Sequence, residues 1–315
     1  MNLRRAGMSL LAVLGCAACA ALPEPTSRPE PQPAQPSVVQ PVRIGVQPTS
    51  PAPQPTPQPT PARPEIFTFA GELTQGGWIR GRVPPSTVSA TLDDTALTLD
   101  DEGFFFAAFD RDADRQTVLA AALANGRIIR SPVAIAPRDW NIERVDVARR
   151  PSGASEAFMQ RRRPELERIY LSRQRETGAQ GWRQDFIWPV QGRISGRFGS
   201  QRIYRGEPGS YHSGLDITTG ESGTPFVAPA DGVVVLAVED FSLEGQLLII
   251  DHGQGLNSAF LHASRLLVEE GEQVRQGQHI GDIGSSGRAT GPHLHWGLTW
   301  RGSRLDPLLF VDGED

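Results

Sequence analysis

The sequence predicts a mainly β protein in which a small β-sandwich-like domain, a helical connector and a larger antiparallel β domain follow one another. Between residues 66 and 147, short runs of alternating apolar and polar residues are separated by Asp-Asp and Glu-Gly turns, which is typical of an antiparallel sandwich. After Phe186, β-prone runs such as GVVVLAV and QLLIID alternate with glycine-rich turns, without an apolar stripe of helical period. We therefore place the accessory domain at 65–148, the connector at 149–185 and the larger domain at 186–311.

Residues 1–22 have the pattern of an export signal. Two arginines precede an apolar run at residues 8–14 that is too short to span a bilayer permanently. Two processing routes fit this segment. The letters VLGC resemble a lipobox that would end in a lipidated Cys16 and anchor the protein in the outer membrane, whereas the small residues around Cys19 fit ordinary signal cleavage. Both routes export the protein, and we expect it in the periplasm of a Gram-negative bacterium.

Residues 23–64 form a linker of Pro, Gln, Thr and Ala that cannot bury a core. In the polyproline II conformation, at ~3.1 Å per residue, it could reach about 130 Å. The connector contains a polar, helix-prone stretch at 152–175 in which Ser155 is suited to cap a helix. We expect Pro164 to break or restart this helix, and the arginines at 161–163 to lie on a solvated face.

Composition restricts the chemistry that the chain can perform. The net charge of −5 gives no reason to expect a nucleic acid as partner. All 31 basic residues are arginines, so lysine chemistry is excluded. The two cysteines, Cys16 and Cys19, lie near the N-terminus, so any metal bound further along must be held by His, Asp or Glu.

All six histidines lie between His212 and His295. His212 and Asp216 are four residues apart in the sequence HSGLD, and His293 and His295 form the sequence HLH, in which both side chains would point to one face of a strand. His262 follows a third strand-like run. Each signal is weak alone, but together they supply three ligands, an open coordination position and two further histidines, as a catalytic zinc site needs.

These motifs resemble the lysostaphin-type zinc endopeptidases, also called LytM-domain peptidases. The resemblance covers residues 186–310, and the ligands, glycines and spacings recur in the family's order. The matching segments are FGSQRIYRGEPGSYHSGLDIT, IIDHGQGLNSAFLHAS, VEEGEQVRQGQHIGDIGSSGRATGPHLHWGL and LDPLLF.

The resemblance implies an antiparallel β domain of the duplicated-hybrid-motif kind, with a groove in which peptides of peptidoglycan are cut. It also implies one Zn²⁺ per chain, a hydrolase of peptidoglycan, and two auxiliary histidines beside the attacking water. Export and the long tether suggest D-alanyl-diaminopimelate cross-bridges as the target, and hence a DD-endopeptidase. The family usually has Leu where Ala263 follows the auxiliary histidine, a departure that does not touch the chemistry. Carried over onto this sequence, the metal ligands are His212, Asp216 and His295, and the catalytic histidines are His262 and His293.

Arg202, Tyr204 and Tyr211 lead into His212 and are candidates for binding substrate, with Arg202 suited to pair with a carboxylate. His252 and His279 are expected in turns or in packing. The main alternative is a catalytically inactive LytM-type scaffold that activates other peptidoglycan hydrolases. A wall-binding protein that uses the accessory segment is a further alternative, whereas a lipoyl-type carrier is excluded because the chain has no lysine.

Several questions stay open at this level. They are the scissile bond (D-alanyl-diaminopimelate or glycyl), the processing route, the role of residues 65–148 and whether the groove is covered at rest. The identity of the general base, the oligomeric state and the protein partners are open as well.

Overall fold

The computed structural model describes residues 64–148 and 155–313, which fall within one compact unit, Thr60–Asp315. The predicted export signal, the lipidation site Cys16 and nearly all of the proline-rich linker lie outside the described residues. Among the described residues, no helix combines the length and the apolar character that crossing a membrane requires. The mainly β fold predicted from the sequence is confirmed.

The N-terminal half of the described chain consists of short strands, of which β1 to β7 form two antiparallel sheets and β8 pairs in parallel with a later strand. One sheet has the order β1-β2-β5 and a second has the order β4-β3-β6-β7. Burial alternates along β6, as expected for a strand with one face in the core. The strands are β1 (Thr68–Gly71), β2 (Trp78–Arg82), β3 (Thr87–Leu92), β4 (Thr95–Ala96), β5 (Phe104–Ala108), β6 (Gln116–Leu123), β7 (Ile128–Ala134) and β8 (Ile142–Val145).

One α-helix, α1 (Glu156–Arg173), is present in the described part of the connector. It begins at Ser155, whose side chain accepts a hydrogen bond from the Phe158 amide, as predicted. The helix continues through Pro164, so the expected break there is wrong. Contacts of α1 with the large sheet hold it together across the missing hydrogen bond. A short 3₁₀ helix at Gly181–Arg183 follows.

The C-terminal half is built on a large antiparallel sheet with the order β18-β14-β15-β16-β20-β12-β9, in which β21 also pairs with β20. Two small sheets flank it, β11-β10-β8 and β13-β19-β17. The strands are β9 (Arg193–Gly196), β10 (Gln201–Tyr204), β11 (Glu207–Tyr211), β12 (Leu215–Thr218), β13 (Pro225–Val227), β14 (Gly232–Phe241), β15 (Gly245–Gly253), β16 (Leu256–Ala263), β17 (Arg265–Leu266), β18 (Gln273–Val274), β19 (His279–Asp282), β20 (Leu294–Trp300) and β21 (Ser303–Leu305). A second 3₁₀ helix covers Pro307–Leu309.

The two faces of the large sheet have different roles. Along β20, Leu294 and Trp296 are fully buried in the main core, so the intervening His295 lies on the opposite face. His295 is the register partner of Leu261 on β16, which packs in a second apolar cluster together with Ile169 of α1. The helix therefore covers the same face of the sheet that carries His295.

The main apolar core is continuous between the two halves. The Trp78 ring packs against Phe106 and Phe310, with centroid separations of 6.2 and 5.3 Å, and its indole N–H donates to the Leu309 carbonyl at 2.7 Å. Phe186 extends the group, 5.4 Å from Phe310. The sequence-based boundaries of the domains stay a prediction, but the accessory strands and the large sheet bury apolar surface in common.

Candidate metal centre

Three side chains converge where β12 and β20 run side by side. His212 Nε2 lies 3.0 Å from Asp216 Oδ1 and 3.1 Å from His295 Nδ1, and the latter two atoms are 2.8 Å apart. Within the part of the chain that the structure describes, this trio is the group of His and acidic side chains whose geometry suits a metal ion. The three residues are those that the sequence predicted as ligands.

Strand register explains how residues so distant in sequence meet. Asp216 on β12 is the direct antiparallel partner of His295 on β20, so both side chains leave the sheet on the same face. His212 precedes β12 and reaches the same point from the neighbouring loop. Gly214 lies in between, and a Cβ there would come within 2.7 Å of His295 Nε2, so this position has no room for a side chain.

The hydrogen bonds of His212 orient its ring so that the three side chains can bind a cation. His212 Nδ1 lies 3.1 Å from the Arg197 carbonyl, to which it can only donate, so Nε2 is the ring atom that faces Asp216 and His295. Nε2 donates to Asp216 when the ring is protonated and offers a lone pair to a metal ion when the ring is neutral. Tetrahedral zinc with bonds of about 2.0–2.1 Å would separate its ligand atoms by roughly 3.3 Å. The observed separations of 2.8–3.1 Å are close to that value. The donor set therefore fits zinc.

The electrostatics of the trio point the same way. Burial opposes ionisation of Asp216, but hydrogen bonds from His212 and His295 hold the pKa of its carboxyl far below the ordinary value. Burial also opposes protonation of His212, yet its hydrogen bond to Asp216 raises its pKa. Burial lowers the pKa of His295. An anionic carboxylate thus faces two imidazoles, and a divalent cation bound between the three side chains would complete the arrangement.

His262 and His293 lie beside the trio. Their ring centroids are 5.0 Å apart, the His262 ring lies 6.4 Å from that of His295, and His293 Nε2 lies 3.8 Å from Asp216 Oδ1. Each Nδ1 is 2.9 Å from a backbone carbonyl, that of Ser286 for His262 and that of Gly291 for His293. With Nδ1–H donating, Nε2 of each ring is left to accept a proton.

The backbone of His262 is unusual. It has φ of +67°, in the left-handed region that non-glycine residues seldom adopt. The register between β15 and β16 shifts so that Leu261 and His262 together face Leu247, which places a bulge at His262. Bulges redirect a side chain relative to regular pairing. Burial, followed by the charges of neighbouring histidines, lowers the pKa of the His262 imidazole, although its bond to Ser286 opposes the shift.

A groove of about 1180 Å³ opens beside His212 and is lined by residues of the β11-β10-β8 sheet and of the segment that includes β9. The three predicted substrate-binding residues, Arg202, Tyr204 and Tyr211, all line it. Arg202 Nε lies 2.5 Å from Glu143 of β8, so within this structure the guanidinium pairs with the protein's own carboxylate. A smaller cavity of about 260 Å³ is lined by Asp216 and His293, among others, and Ser195 lines both cavities.

Sequence reasoning missed Arg288 and Arg197, which also line the larger groove. Arg288 lies in the segment SSGRATGPHLH, and a basic residue so close to the HLH pattern was the available signal. The remaining histidines have other surroundings. His252 is fully buried between the Asp231 carbonyl and the Ser258 hydroxyl, and His279 pairs with Asp282.

Comparison with known proteins finds a match to one family model within the C-terminal half. Residues 210–307 match the model of peptidase family M23. A crystal structure from Pseudomonas aeruginosa assigned to peptidase M23 superposes with a TM-score of 0.59 at 24% sequence identity, over 76% of this chain and 95% of that chain. The likeness establishes a shared fold that extends beyond the matched domain.

Curated relatives differ in what their names say they do. The chain is 38% identical to the lipoprotein NlpD/LppB homolog of Pseudomonas aeruginosa over 42% of this chain and 40% of the relative. It is 40% identical to the peptidoglycan DD-endopeptidase ShyA of Vibrio cholerae over 37% of this chain and 27% of ShyA. It is 34% identical to the murein hydrolase activator NlpD of Escherichia coli over 39% of this chain and 30% of NlpD. The matched region thus spans less than half the length of each relative.

Proposed function

We propose that this chain, of which residues 210–307 match the model of peptidase family M23, is a zinc-dependent endopeptidase that hydrolyses peptide cross-links or stem peptides of peptidoglycan. One observation carries the proposal. His212, Asp216 and His295 converge on one point, and two further histidines flank them at a groove large enough for a peptide. The sequence match to an endopeptidase of peptidoglycan supports the choice of substrate.

His212, Asp216 and His295 would hold the zinc ion, one per chain. A bound zinc ion supplies Lewis-acid chemistry, which polarises a scissile carbonyl and makes water nucleophilic at neutral pH. The Arg197 carbonyl fixes the tautomer of His212, and β-sheet pairing fixes Asp216 against His295. The protein's own contribution at this point is therefore a rigid, preformed set of three ligands.

His262 and His293 would handle the proton and the developing charge. Because the Ser286 and Gly291 carbonyls hold their Nδ1 atoms, the Nε2 atom of either ring can orient a water and accept its proton. The lowered pKa of His262 keeps this ring neutral at pH 7. Once protonated, the same ring can donate a hydrogen bond to the negative charge on the carbonyl oxygen, and later deliver the proton to the leaving amine.

The groove would bind the peptide. Arg197, Arg202 and Arg288 line it against a single acidic side chain, Glu143. Peptidoglycan stems carry several carboxylates, and arginine recognises a carboxylate with two parallel hydrogen bonds. We infer that the substrate is an anionic peptide, with D-alanyl-diaminopimelate bonds as the expected target and glycyl bridges as the alternative.

A second candidate function is activation of other peptidoglycan hydrolases. The observation in its favour is the similarity to proteins named murein hydrolase activators. A catalytically inactive scaffold would be expected to lack metal ligands, whereas here the trio and both auxiliary histidines are complete. We therefore rank hydrolysis first.

Digestion of purified cross-linked peptidoglycan by the full mature chain, with zinc and with a chelator, separates the two functions. Mass analysis of the products should show cross-linked dimers converted to monomers with zinc only, and it would identify the bond that is cut. An activator would release nothing alone, and would accelerate release when an added wall amidase is present.

Export and anchoring remain proposals as well. The name of the Pseudomonas relative, a lipoprotein, supports lipidation at Cys16 as the processing route. Metabolic labelling with a tagged fatty acid should mark the unaltered protein, and Cys16→Ser should abolish the label while Cys19→Ser leaves it. Equal labelling of both variants would contradict this route.

A further inference from the structure

The tight turn at residues 242–244, between β14 and β15, lies between helix α1 and His262. We propose that α1 acts as a positioning element for His262, through a buried ion-pair network that fixes this turn. The inference rests on the proposed function, in which His262 handles the proton. It concerns Arg162 and Glu165, which lie outside the residues that match the family model.

One side of the turn is tied to α1. Arg162 donates to both carboxylate oxygens of Glu244, at 2.6 and 2.7 Å, and to Glu165 at 3.0 Å. Glu165 in turn accepts hydrogen bonds from the amide and hydroxyl of Ser242, at 2.9 and 2.5 Å. The side chains of Arg162, Glu165 and Glu244 are only 9, 7 and 14% exposed, so water screens these contacts little. The expectation that Arg162 would lie on a solvated face is therefore wrong.

The other side of the turn is tied to His262. The His262 amide donates to the Glu244 carbonyl at 3.0 Å. The Ser286 carbonyl accepts from His262 Nδ1 at 2.9 Å, and the Ser286 hydroxyl accepts from the Gln246 amide at 2.8 Å. The backbone of His262 is thus held by the turn, and its ring is held by Ser286, which is bonded to Gln246 two residues beyond the turn.

The unusual backbone conformation of His262 depends on its hydrogen bond to the turn. A non-glycine residue in the left-handed region costs free energy and persists only where its surroundings fix it. The hydrogen bond from its amide to Glu244 is one of the contacts that do so. If Glu244 were released from Arg162, the turn could move, and His262 could relax toward an ordinary strand conformation that points its ring elsewhere.

A purely stabilising role would not require this arrangement. Buried ion pairs can often be replaced by apolar residues without loss of stability, because their mutual attraction only offsets the cost of desolvating them. The network instead specifies one conformation of the turn. We therefore expect replacement of the whole network by apolar residues to affect the order of His262 more than the stability of the fold, whereas removal of one partner alone also lowers the free energy of unfolding, because it leaves buried charge unpaired.

The test compares Arg162→Met with Arg163→Met, the neighbouring arginine, whose side chain is 63% exposed. Hydrogen exchange of the His262 amide, followed by NMR, should be about tenfold faster in Arg162→Met and unchanged in Arg163→Met. The turnover number should fall by about tenfold with KM and zinc content unchanged, the usual cost of losing a residue that orients a catalytic group. Arg162→Lys keeps the charge but not the paired geometry. Its exchange rate and its turnover number should both lie between those of the unaltered chain and those of Arg162→Met.

The hydrogen-exchange result does not depend on peptidase activity, so the two proposals can fail separately. If the unaltered chain cuts no peptidoglycan, the proposed function fails while the exchange rates still decide the role of α1. If His262 exchanges at the same rate in both variants, the positioning role is overturned. Should Arg162→Met fail to fold, Glu244→Gln removes the same charge pair while it keeps the backbone carbonyl, and the same comparison applies.

Discussion

One auxiliary histidine, His262, lies on β16 and the other, His293, directly precedes β20, but backbone carbonyls hold them in the same way. Ser286 and Gly291 accept from the Nδ1 atoms of His262 and His293, so the proton on each ring has a fixed place. Neither ring belongs to the trio that would bind zinc. Metal binding and proton transfer are therefore assigned to separate residues, which can be changed one at a time.

Replacement of His262 or His293 by Ala should leave zinc bound and remove most of the activity. General acid–base catalysis contributes typically about 10²–10⁴-fold, so we expect kcat to fall by at least about 100-fold in each variant. Zinc content by elemental mass spectrometry and turnover of a cross-linked muropeptide check this. A variant that loses zinc together with activity would mean that the altered histidine is itself a ligand.

Arg288 is exposed in the groove, and we expect it to bind a carboxylate of the substrate. In Arg288→Met, KM for a muropeptide with free carboxylates should rise about tenfold, whereas KM for the amidated muropeptide should not change. Arg275→Met, at an exposed position away from the groove lining, serves as the control. An equal rise in KM for both muropeptides would show that Arg288 does not bind the carboxylate.

At the scale of elements, the wall of the groove depends on a contact with the accessory strands. Arg111, which follows β5, is 5% exposed and donates to the Gly199 carbonyl at 3.0 Å and to Gln201 at 3.2 Å. Its guanidinium also lies over the Tyr211 ring, 4.6 Å from the centroid. The Gly199 amide donates to the His212 carbonyl at 2.9 Å, so the contact extends to a proposed metal ligand.

Arg111→Met should destabilise the protein, because it leaves the buried Gly199 carbonyl without this partner. The free energy of unfolding should fall by about 2 kcal/mol. The control Arg127→Met, which breaks an exposed ion pair with Glu65, should cost less than about 1 kcal/mol. Urea unfolding monitored by tryptophan fluorescence measures both values. Equal losses would mean that Arg111 does not support the groove wall energetically.

Local patterns in the sequence predicted some elements well and could not predict others. The HLH spacing predicted His293 and His295 on one face of a strand, because side-chain alternation is a property of the strand alone. In the structure β20 begins at Leu294, so His295 lies in the strand and His293 in an isolated bridge directly before it. The bulge at His262 was not predictable, because it depends on the register between two strands. The continuation of α1 through Pro164 was missed for a similar reason, since packing on the sheet outweighs the local preference.

For the whole molecule, the sequence indicated the mainly β class and the position of the ligands, but not the shared core. Trp78 and Phe106 of the accessory strands pack on Phe310 near the C-terminus, and nothing in the local sequence pairs residues so far apart. Such contacts follow from topology. They also mean that the accessory strands contribute to the stability of the half of the molecule that carries the proposed metal site.

The free energy of unfolding should depend on pH because of the buried His252. Burial lowers its pKa to about 4, whereas the unfolded chain should have an ordinary value near 6.5. The unfolded state therefore binds the proton more tightly, and the stability that neutral His252 provides is complete above about pH 6.5 and is lost as pH falls toward 4. Between pH 7.5 and 4.5 this loss amounts to about 2.5 kcal/mol.

Urea unfolding at both pH values, with a chelator present, should show a larger pH-dependent loss in the unaltered chain than in His252→Gln. The difference between the two proteins isolates the contribution of this imidazole from those of the other titrating groups. If both proteins lose the same free energy on acidification, His252 is not the source of the dependence.

The central claim is that His212, Asp216 and His295 form a zinc site that makes this chain a peptidoglycan endopeptidase. The most direct measurement determines zinc content and muropeptide cleavage together for the unaltered chain, for His295→Ala and for the control His279→Ala, whose histidine lies on β19 and pairs with Asp282. We predict about one zinc per chain and conversion of cross-linked dimers to monomers for the unaltered chain and the control, and neither for His295→Ala. Full cleavage by zinc-free His295→Ala, or zinc-loaded unaltered protein that cuts no peptidoglycan, would contradict the account.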